Sequence, residues 1–291
     1  MLDFKRESKV KTVTRGTERN DMADKPEMHQ SALTCLQMCG EMYRRRYVCK
    51  ERGRLSTNLV GGLAVHDGRA VNLVQKVKSK IDVDLEAVTE ATRDAVVKQF
   101  KEHDINPGEE FEGMNAPALC QQLIDRAVML VRADYTAFQM NMMPIAAELP
   151  ISVQLPNFPF DLGMRLDAVE PNEIVSDCKT SKRTPPKDVA ETSEQMDLYS
   201  IGHEAKYQKP CRGMRLDYCV TLKNSVKTIS FGTTPSRGRQ QAILNRLATA
   251  FDATEKGVFV PCSRNFWLCG PKYCEFYDTC KYVGRSDRPE S

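Results

Sequence analysis

Two aspartates and a lysine in the stretch GMRLDAVEPNEIVSDCKTSKR are the residues of this 291-residue chain best placed to do chemistry. Asp177 and Lys179 stand at i and i+2, so on an extended strand both side chains leave the same face. Asp167 lies upstream, with the turn formers Pro171 and Asn172 in between. A three-residue connection over Pro171 to Glu173 sets Asp167 opposite Asp177, whereas a two-residue connection puts them on opposite faces. Only the first register makes a shared site. Carboxylate oxygens suit a hard divalent cation such as Mg²⁺ or Mn²⁺. A cation held there polarises a phosphate and deprotonates water. An ammonium beside it can hold the attacking water and offset charge developing on the phosphate. The implied chemistry is metal-assisted phosphodiester hydrolysis, with Asp167 and Asp177 as metal ligands and Lys179 as the catalytic lysine. Taken alone, a D-x-K is more often a pair of solvated strand residues, so the reading depends on what accompanies it.

Elements of two kinds must position these residues. Leu33, Leu36, Tyr43 and Tyr47 recur at helical spacing from Ser31 to Tyr47. Further helices are predicted over Asn58 to Val77, over Asp84 to Phe100 with Asp84 as N-cap, and over Ala118 to Met142. HDINPGEEFEGMNAP reads as a loop. ELPISVQL, FDLGMRLDAVE and EIVSDCKT read as strands. A helix over Val189 to Tyr207 follows, then the strands GMRLDYCVTL and VKTISFG, then a helix over Arg237 to Phe251. This order implies an α/β fold with a central mixed sheet flanked by helices. GMRLD occurs at 163 and again at 213, but nothing else repeats around it. The expected division is a flexible polar arm over 1–28, a catalytic domain over 29–260 with a helical insertion at 80–143, and a cysteine-rich segment with its tail over 261–291.

A glycine-led strand ending in Asp, a turn, and an apolar strand ending D-x-K-T resembles the PD-(D/E)XK nucleases, in particular the RecB-type exonuclease branch. Three further marks of that branch stand in the same order here. The first is G-x-x-x-H on a preceding helix, matched by Gly62 and His66 in GGLAVHDG. The resemblance makes His66 a metal ligand. The second is Q-x-x-x-Y on the helix after the lysine strand, matched by Gln195 and Tyr199 in SEQMDLYS, which share a helix face at i and i+4. The resemblance turns that face toward the site and the DNA, with Gln195 holding the lysine or a phosphate and Tyr199 contacting DNA. The third is a split cysteine set, matched by Cys39 in SALTCLQMCGEMYRRRYV and by Cys269, Cys274 and Cys280 in WLCGPKYCEFYDTC. Four thiolates suit zinc or an iron–sulfur cluster, and the resemblance favours [4Fe–4S]. The gap between Cys269 and Cys274 is wider than the C-x-x-C common in this branch, which leaves Cys262 as the main spare ligand and Cys35 as a substitute for Cys39. Cys49, Cys120, Cys178, Cys211 and Cys219 read as buried small residues or bystanders. Cys178 fills the variable position of D-x-K, where the backbone carbonyl is its expected contribution to the metal. The resemblance implies a restriction-endonuclease-like core and spans Ser31 to Cys280.

Composition narrows the setting. Net charge is +3, which neither demands nor excludes a nucleic-acid partner. The basic residues Lys182, Arg183 and Lys187 after the lysine strand are placed to track a DNA backbone, or else belong to a solvated loop. MLDFKRESKVKTVTRGTERN has no apolar h-region and no apolar run reaches membrane-span length, so a cytoplasmic, reducing compartment is expected for the 11 cysteines. There is no G-x-x-x-x-G-K-[ST], so the chain works alone or with a helicase or recombination protein that supplies the motor. The expected function is a metal-dependent DNA nuclease, an exonuclease acting at DNA ends. The competing readings are a non-catalytic DNA-binding protein that keeps the fold and cluster, and a zinc-binding interaction module.

Overall fold

The computed structural model describes residues 25–155, 158–223 and 225–284. Within them the chain runs β1 (Glu27–Met28), α1 (Gln30–Met38), α2 (Gly40–Tyr43), a π-helical turn at Arg44–Val48, β2 (Leu55–Ser56), α3 (Thr57–Ser79), α4 (Leu85–Glu102), β3 (Ile105–Asn106) and α5 (Ala116–Ala137). Then come β4 (Ala146–Gln154), β5 (Asp161–Glu170), β6 (Ile174–Ser181), α6 (Glu194–Tyr207), β7 (Gly213–Thr221), β8 (Val226–Thr233) and α7 (Arg237–Glu255). Polar N-caps start the long helices. Ser56, Asp84, Asn115, Ser193 and Ser236 each accept a hydrogen bond from a backbone amide two or three residues on. None of the described helices is long and apolar enough to cross a membrane.

The six-stranded sheet is mixed, in the order β1-β5-β6-β7-β8 with β4 on β5. β4 lies antiparallel along β5 from Asp161 to Val169, so β1 and β6 share the opposite edge of β5. β6 and β7 are parallel and joined through α6, while β7 and β8 form an antiparallel pair. Helices cover both faces. Val60, Ala64 and Val65 of α3 pack with α4 and α5 over Cys178 and Cys219 of the sheet. Leu162, Val169, Val175, Met214 and Leu216 form the larger core with Met196 and Leu198 of α6 and Leu247 of α7. The expected α/β architecture with a central mixed sheet flanked by helices is what the chain adopts. The helices of the expected insertion, α4 and α5, form part of one covering layer.

Several boundaries differ from those expected. Residues 1–24 of the expected flexible arm lie outside the described residues, but within 25–28 the pair Glu27–Met28 forms a parallel strand on β5 and Met28 is buried. The helix expected over Ser31 to Tyr47 breaks at Cys39, whose extended backbone (φ −163°) separates α1 from α2. Gly40 explains the break. A Cβ there would lie 2.5 Å from the backbone of Phe259 and Val260, and its amide donates to the Val260 carbonyl at 2.8 Å. The helix opens so that the C-terminal segment can lie directly against it. The helix expected from Val189 starts only at Glu194, because Ser193 caps it. The expected loop at 103–117 contains the short strand β3, paired with β2.

A buried polar network fixes α3. Arg69 and Asp134 are both fully buried and meet at 2.5 Å, with Asp217 of β7 at 3.8 Å from the same guanidinium. Gln139 donates to Asp134 at 2.6 Å and accepts from Asn72 at 2.9 Å, and Lys76 donates to the Gln139 carbonyl at 2.8 Å. One face of α3 is thus tied to the end of α5 and to the sheet. Truncating a buried ion pair on one side leaves an uncompensated charge in low dielectric. Asp134→Ala is therefore expected to lower unfolding free energy by about 3–5 kcal/mol in urea titration. A loss within the range of ordinary surface substitutions would show that Asp217 alone satisfies Arg69.

Candidate active site

The register of β5 and β6 builds the site. Ala168 pairs with Ser176, Val169 with Val175 and Glu170 with Ile174, so the connection is the three residues Pro171–Glu173. Glu173 takes the left-handed conformation (φ 59°) and its amide closes the turn onto the Glu170 carbonyl at 3.1 Å. Continued one step, this register sets Asp167 opposite Asp177. There the ladder stops and the strands part. The Cys178 amide, left without a strand partner on that side, donates instead to Asp167 Oδ2 at 3.1 Å.

A third carboxylate joins from the other edge of β5. Ala147 pairs with Ala168 and Leu149 with Leu166, so Glu148 stands beside Asp167. Glu148 interrupts that ladder with φ 48°, a strained conformation for a residue with a Cβ. Glu148, Asp167 and Asp177 therefore form a row across three neighbouring strands. Above it, α3 contributes His66, whose Nδ1 lies 3.1 Å from Asp167 Oδ2. Ligand atoms of His66, Glu148 and Asp167 all lie within 4.8 Å of one another. Lys179 Nζ sits 2.6 Å from Asp177 Oδ2. From the opposite layer, Gln195 Nε2 donates to Asp177 Oδ1 at 3.0 Å and to the Tyr199 hydroxyl at 2.7 Å, and that hydroxyl reaches Asp177 Oδ1 at 3.4 Å.

Burial sets the electrostatics. It raises the pKa of Asp177, and the neighbouring Asp167 adds to the rise. Burial also raises the Glu148 carboxyl, again helped by Asp167. Burial opposes Asp167 ionisation too, but His66 outweighs it and holds that carboxyl below its usual range. For Lys179, desolvation opposes the charge, and Asp177 and Asp167 overcome it, so the ammonium form is favoured. Three carboxylates facing one ammonium and one imidazole carry surplus negative charge in a desolvated split between strands. A hard divalent cation is what such an O,O,O,N donor set fits. Protons compete for the same ligands, so acid weakens that binding.

The residues singled out from the sequence divide between this centre and its surroundings. His66, Asp167, Asp177 and Lys179 lie together. Gln195 and Tyr199 turn inward: Tyr199 is 7% exposed and both spend hydrogen bonds on Asp177, which makes them supports of that carboxylate rather than an outward DNA contact. The Cys178 thiol points away, 3.6 Å from Asp134. Lys182 and Arg183 line a cleft of ≈ 360 Å³ with Arg126, Thr57, Gly62 and Thr180. Gly62 is one helical turn before His66 and Thr180 follows Lys179 in the chain, although no carboxylate of the centre lines the cleft itself. Lys187 is exposed and is not among the cleft residues. Glu148 escaped sequence reading. Its only mark was a lone carboxylate at the start of ELPISVQL, and its partner is set by a strand register that no short turn encodes.

Cys39, Cys269, Cys274 and Cys280 line one pocket, and Cys262 completes its wall. The Cys262 amide donates to Cys39 Sγ at 3.4 Å. Burial raises the Cys262 thiol to about 12, with Cys39 and Cys269 adding to it. Cys35 is buried nearby on α1 but does not line the pocket. Among the expected bystanders, Cys178, Cys211 and Cys219 are buried, while Cys49 is exposed and accepts from Arg44 at 3.0 Å.

No family model matches the sequence, and no curated protein sequence does. Among solved structures, a proposed exonuclease from Eubacterium rectale aligns over 95% of this chain and 97% of its own, with a TM-score of 0.50 and 13% identity. LHK-Exo in complex with dAMP aligns over 67% of this chain and 92% of its own, with a TM-score of 0.31 and 11% identity. A phage-related exonuclease from Haemophilus somnus 129PT aligns over 67% and 96%, with a TM-score of 0.28 and 12% identity. At this identity the first likeness is one of fold. The chain shares the mixed α/β architecture of an exonuclease-like protein.

Glu148 provides a direct test of the site. Glu148→Gln keeps its size and removes its charge. Calorimetric titration with Mn²⁺ is expected to show affinity lower by roughly ten-fold or more, while metal-free melting holds or rises as like charges are relieved. Unchanged Mn²⁺ affinity would reduce Glu148 to a partner of Arg165, which it contacts at 3.0 Å.

Proposed function

We propose that this chain is a Mg²⁺- or Mn²⁺-dependent deoxyribonuclease of the PD-(D/E)XK type that hydrolyses phosphodiester bonds at DNA ends. The observation that carries the reading is the meeting of His66, Glu148, Asp167, Asp177 and Lys179 where β5 and β6 part. The fold shared with an exonuclease-like protein supports it. His66, Glu148, Asp167 and Asp177 would hold the cation, with the Cys178 carbonyl as a further oxygen. Bound there, the cation supplies Lewis acidity toward the phosphoryl oxygen and lowers the pKa of a water. Lys179, kept charged by Asp177, orients that water and offsets charge gathering on the phosphate. Gln195 and Tyr199 fix the Asp177 carboxylate, so neither ligand nor lysine must reorganise during the reaction. The cleft lined by Arg126, Lys182 and Arg183 takes the strand being cut. A helicase or recombination protein remains the proposed source of any motor.

The cysteine pocket is proposed to hold a [4Fe–4S] cluster on Cys39, Cys269, Cys274 and Cys280. The Cys262 amide on Cys39 Sγ is the kind of N–H···S contact that tunes such a cluster.

Two sets of variants test the proposal. With end-labelled DNA and Mn²⁺, Lys179→Ala is expected to cut at least a hundred-fold more slowly while still folding and binding Mn²⁺, although the metal-free protein melts earlier because Asp177 loses its cation. Cleavage at the wild-type rate would place the chemistry elsewhere. For the cluster, Cys274→Ala is expected to lose visible absorption and iron and to melt earlier, because the centre ties α1 to the C-terminal segment. Unchanged iron and melting would reject the ligand set, and stoichiometric zinc would reject only the cluster type.

A further inference from the structure

Three aromatic rings stand on the outside of the cysteine segment, with Trp267 in contact with both of the others. Phe266, Trp267 and Tyr273 are 37%, 56% and 51% exposed. The Phe266 and Trp267 ring centroids lie 5.6 Å apart, and those of Trp267 and Tyr273 lie 5.2 Å apart, edge to face at 85°. Single exposed aromatics need no explanation. This group has neighbours that single out one kind of ligand. Lys272 Nζ lies 5.5 Å from the Tyr273 ring centre and 2.5 Å from Glu109 Oε2. Asn106 on the same loop donates to the Pro271 carbonyl at 3.4 Å. The adjacent Glu110 ion-pairs with Arg126 at 2.5 Å and with Lys182, and both of those cations line the basic cleft. Cations and carboxylates thus alternate from the basic cleft to the aromatic group.

We propose that Trp267 and Tyr273, with Lys272, form a stacking site for an unpaired base of the DNA strand that leads into the cleft. The proposal rests on the nuclease reading above and adds the form of substrate: a single-stranded end. Every base has a flat π-face that an aromatic side chain can accept without regard to sequence, and a neighbouring ammonium meets the backbone phosphate. Glu109 and Glu110 already hold the cations that phosphates would recruit, so an arriving strand exchanges carboxylate partners for phosphate ones. A duplex keeps its bases stacked internally and has no free face to offer.

The chain contains one tryptophan, so Trp267 fluorescence reports on this site alone. Wild-type holoprotein is titrated in EDTA, which prevents cleavage, with a short oligothymidylate and with a blunt duplex. Saturable quenching by the single strand and little by the duplex is expected. By labelled-oligonucleotide anisotropy, Tyr273→Leu is expected to bind roughly five-fold to a hundred-fold more weakly, and Tyr273→Phe like wild type. Equal visible absorption in both variants verifies that the segment is intact; if Tyr273→Leu loses it, Lys272→Gln with Trp267→Phe serves in its place. Unquenched Trp267, or full affinity without the Tyr273 ring, alongside Mn²⁺-dependent cleavage would overturn the stacking site and leave the nuclease reading standing. Equal quenching by duplex would overturn the single-strand assignment. A protein that neither binds nor cuts DNA would overturn both.

Discussion

The turn at Pro171–Glu173 fixes the register on which the rest of the site depends. Three residues between paired Glu170 and Ile174 put Asp167 and Asp177 opposite each other; a change of one residue would turn one carboxylate to the other face. The turn is anchored as well as short. Glu173 adopts a left-handed backbone, and its carboxylate lies 2.9 Å from the buried His203 and 3.3 Å from Lys209. The Arg212 amide donates to its carbonyl at 2.9 Å. The same helix, α6, that carries Gln195 and Tyr199 to Asp177 therefore also grips the turn that sets the position of Asp177.

Beyond that register the two strands separate, and the separation is what makes the centre accessible from both helical layers. α3 brings His66 from one side and α6 brings Gln195 and Tyr199 from the other. Placement of His66 depends on Arg69, which follows it by less than one turn of α3 and is locked to Asp134 in the interior. That network is expensive to desolvate and is satisfied only when α3, α5 and β7 are all in place. It therefore trades tolerance for a defined position of the histidine. At the other end of the chain, Gly40 lets the backbone of residues 259–260 lie against α1 and α2, which carries the C-terminal cysteines to Cys39.

Much of this was legible in the sequence, for identifiable reasons. The hairpin could be read because its turn is short and turn length dictates register. The helix pair Gln195 and Tyr199 could be placed because i and i+4 share a face, although the direction of their hydrogen bonds could not. The five-cysteine pocket was readable as a set of four with Cys262 in reserve; the fifth position follows from the close packing at Gly40, which spacing does not reveal. Glu148 was invisible because β4 meets β5 through a longer connection and because its strained backbone departs from strand alternation. The break of the first helix at Cys39 was hidden by an apolar period that continues across it. Residues such as Asp134 and Asp217 read as ordinary charges, since a buried ion network is a property of three elements meeting and leaves no local pattern.

The central claim is that the carboxylate row opened by the parting of β5 and β6 holds one hard divalent cation. Crystals of the protein grown with Mn²⁺ and measured at the manganese absorption edge address it directly. The account requires an anomalous peak within ligand distance, about 2.0–2.6 Å, of His66, Glu148, Asp167 and Asp177, next to Lys179. A manganese peak elsewhere, or none at this centre with the four ligands ordered, would contradict it.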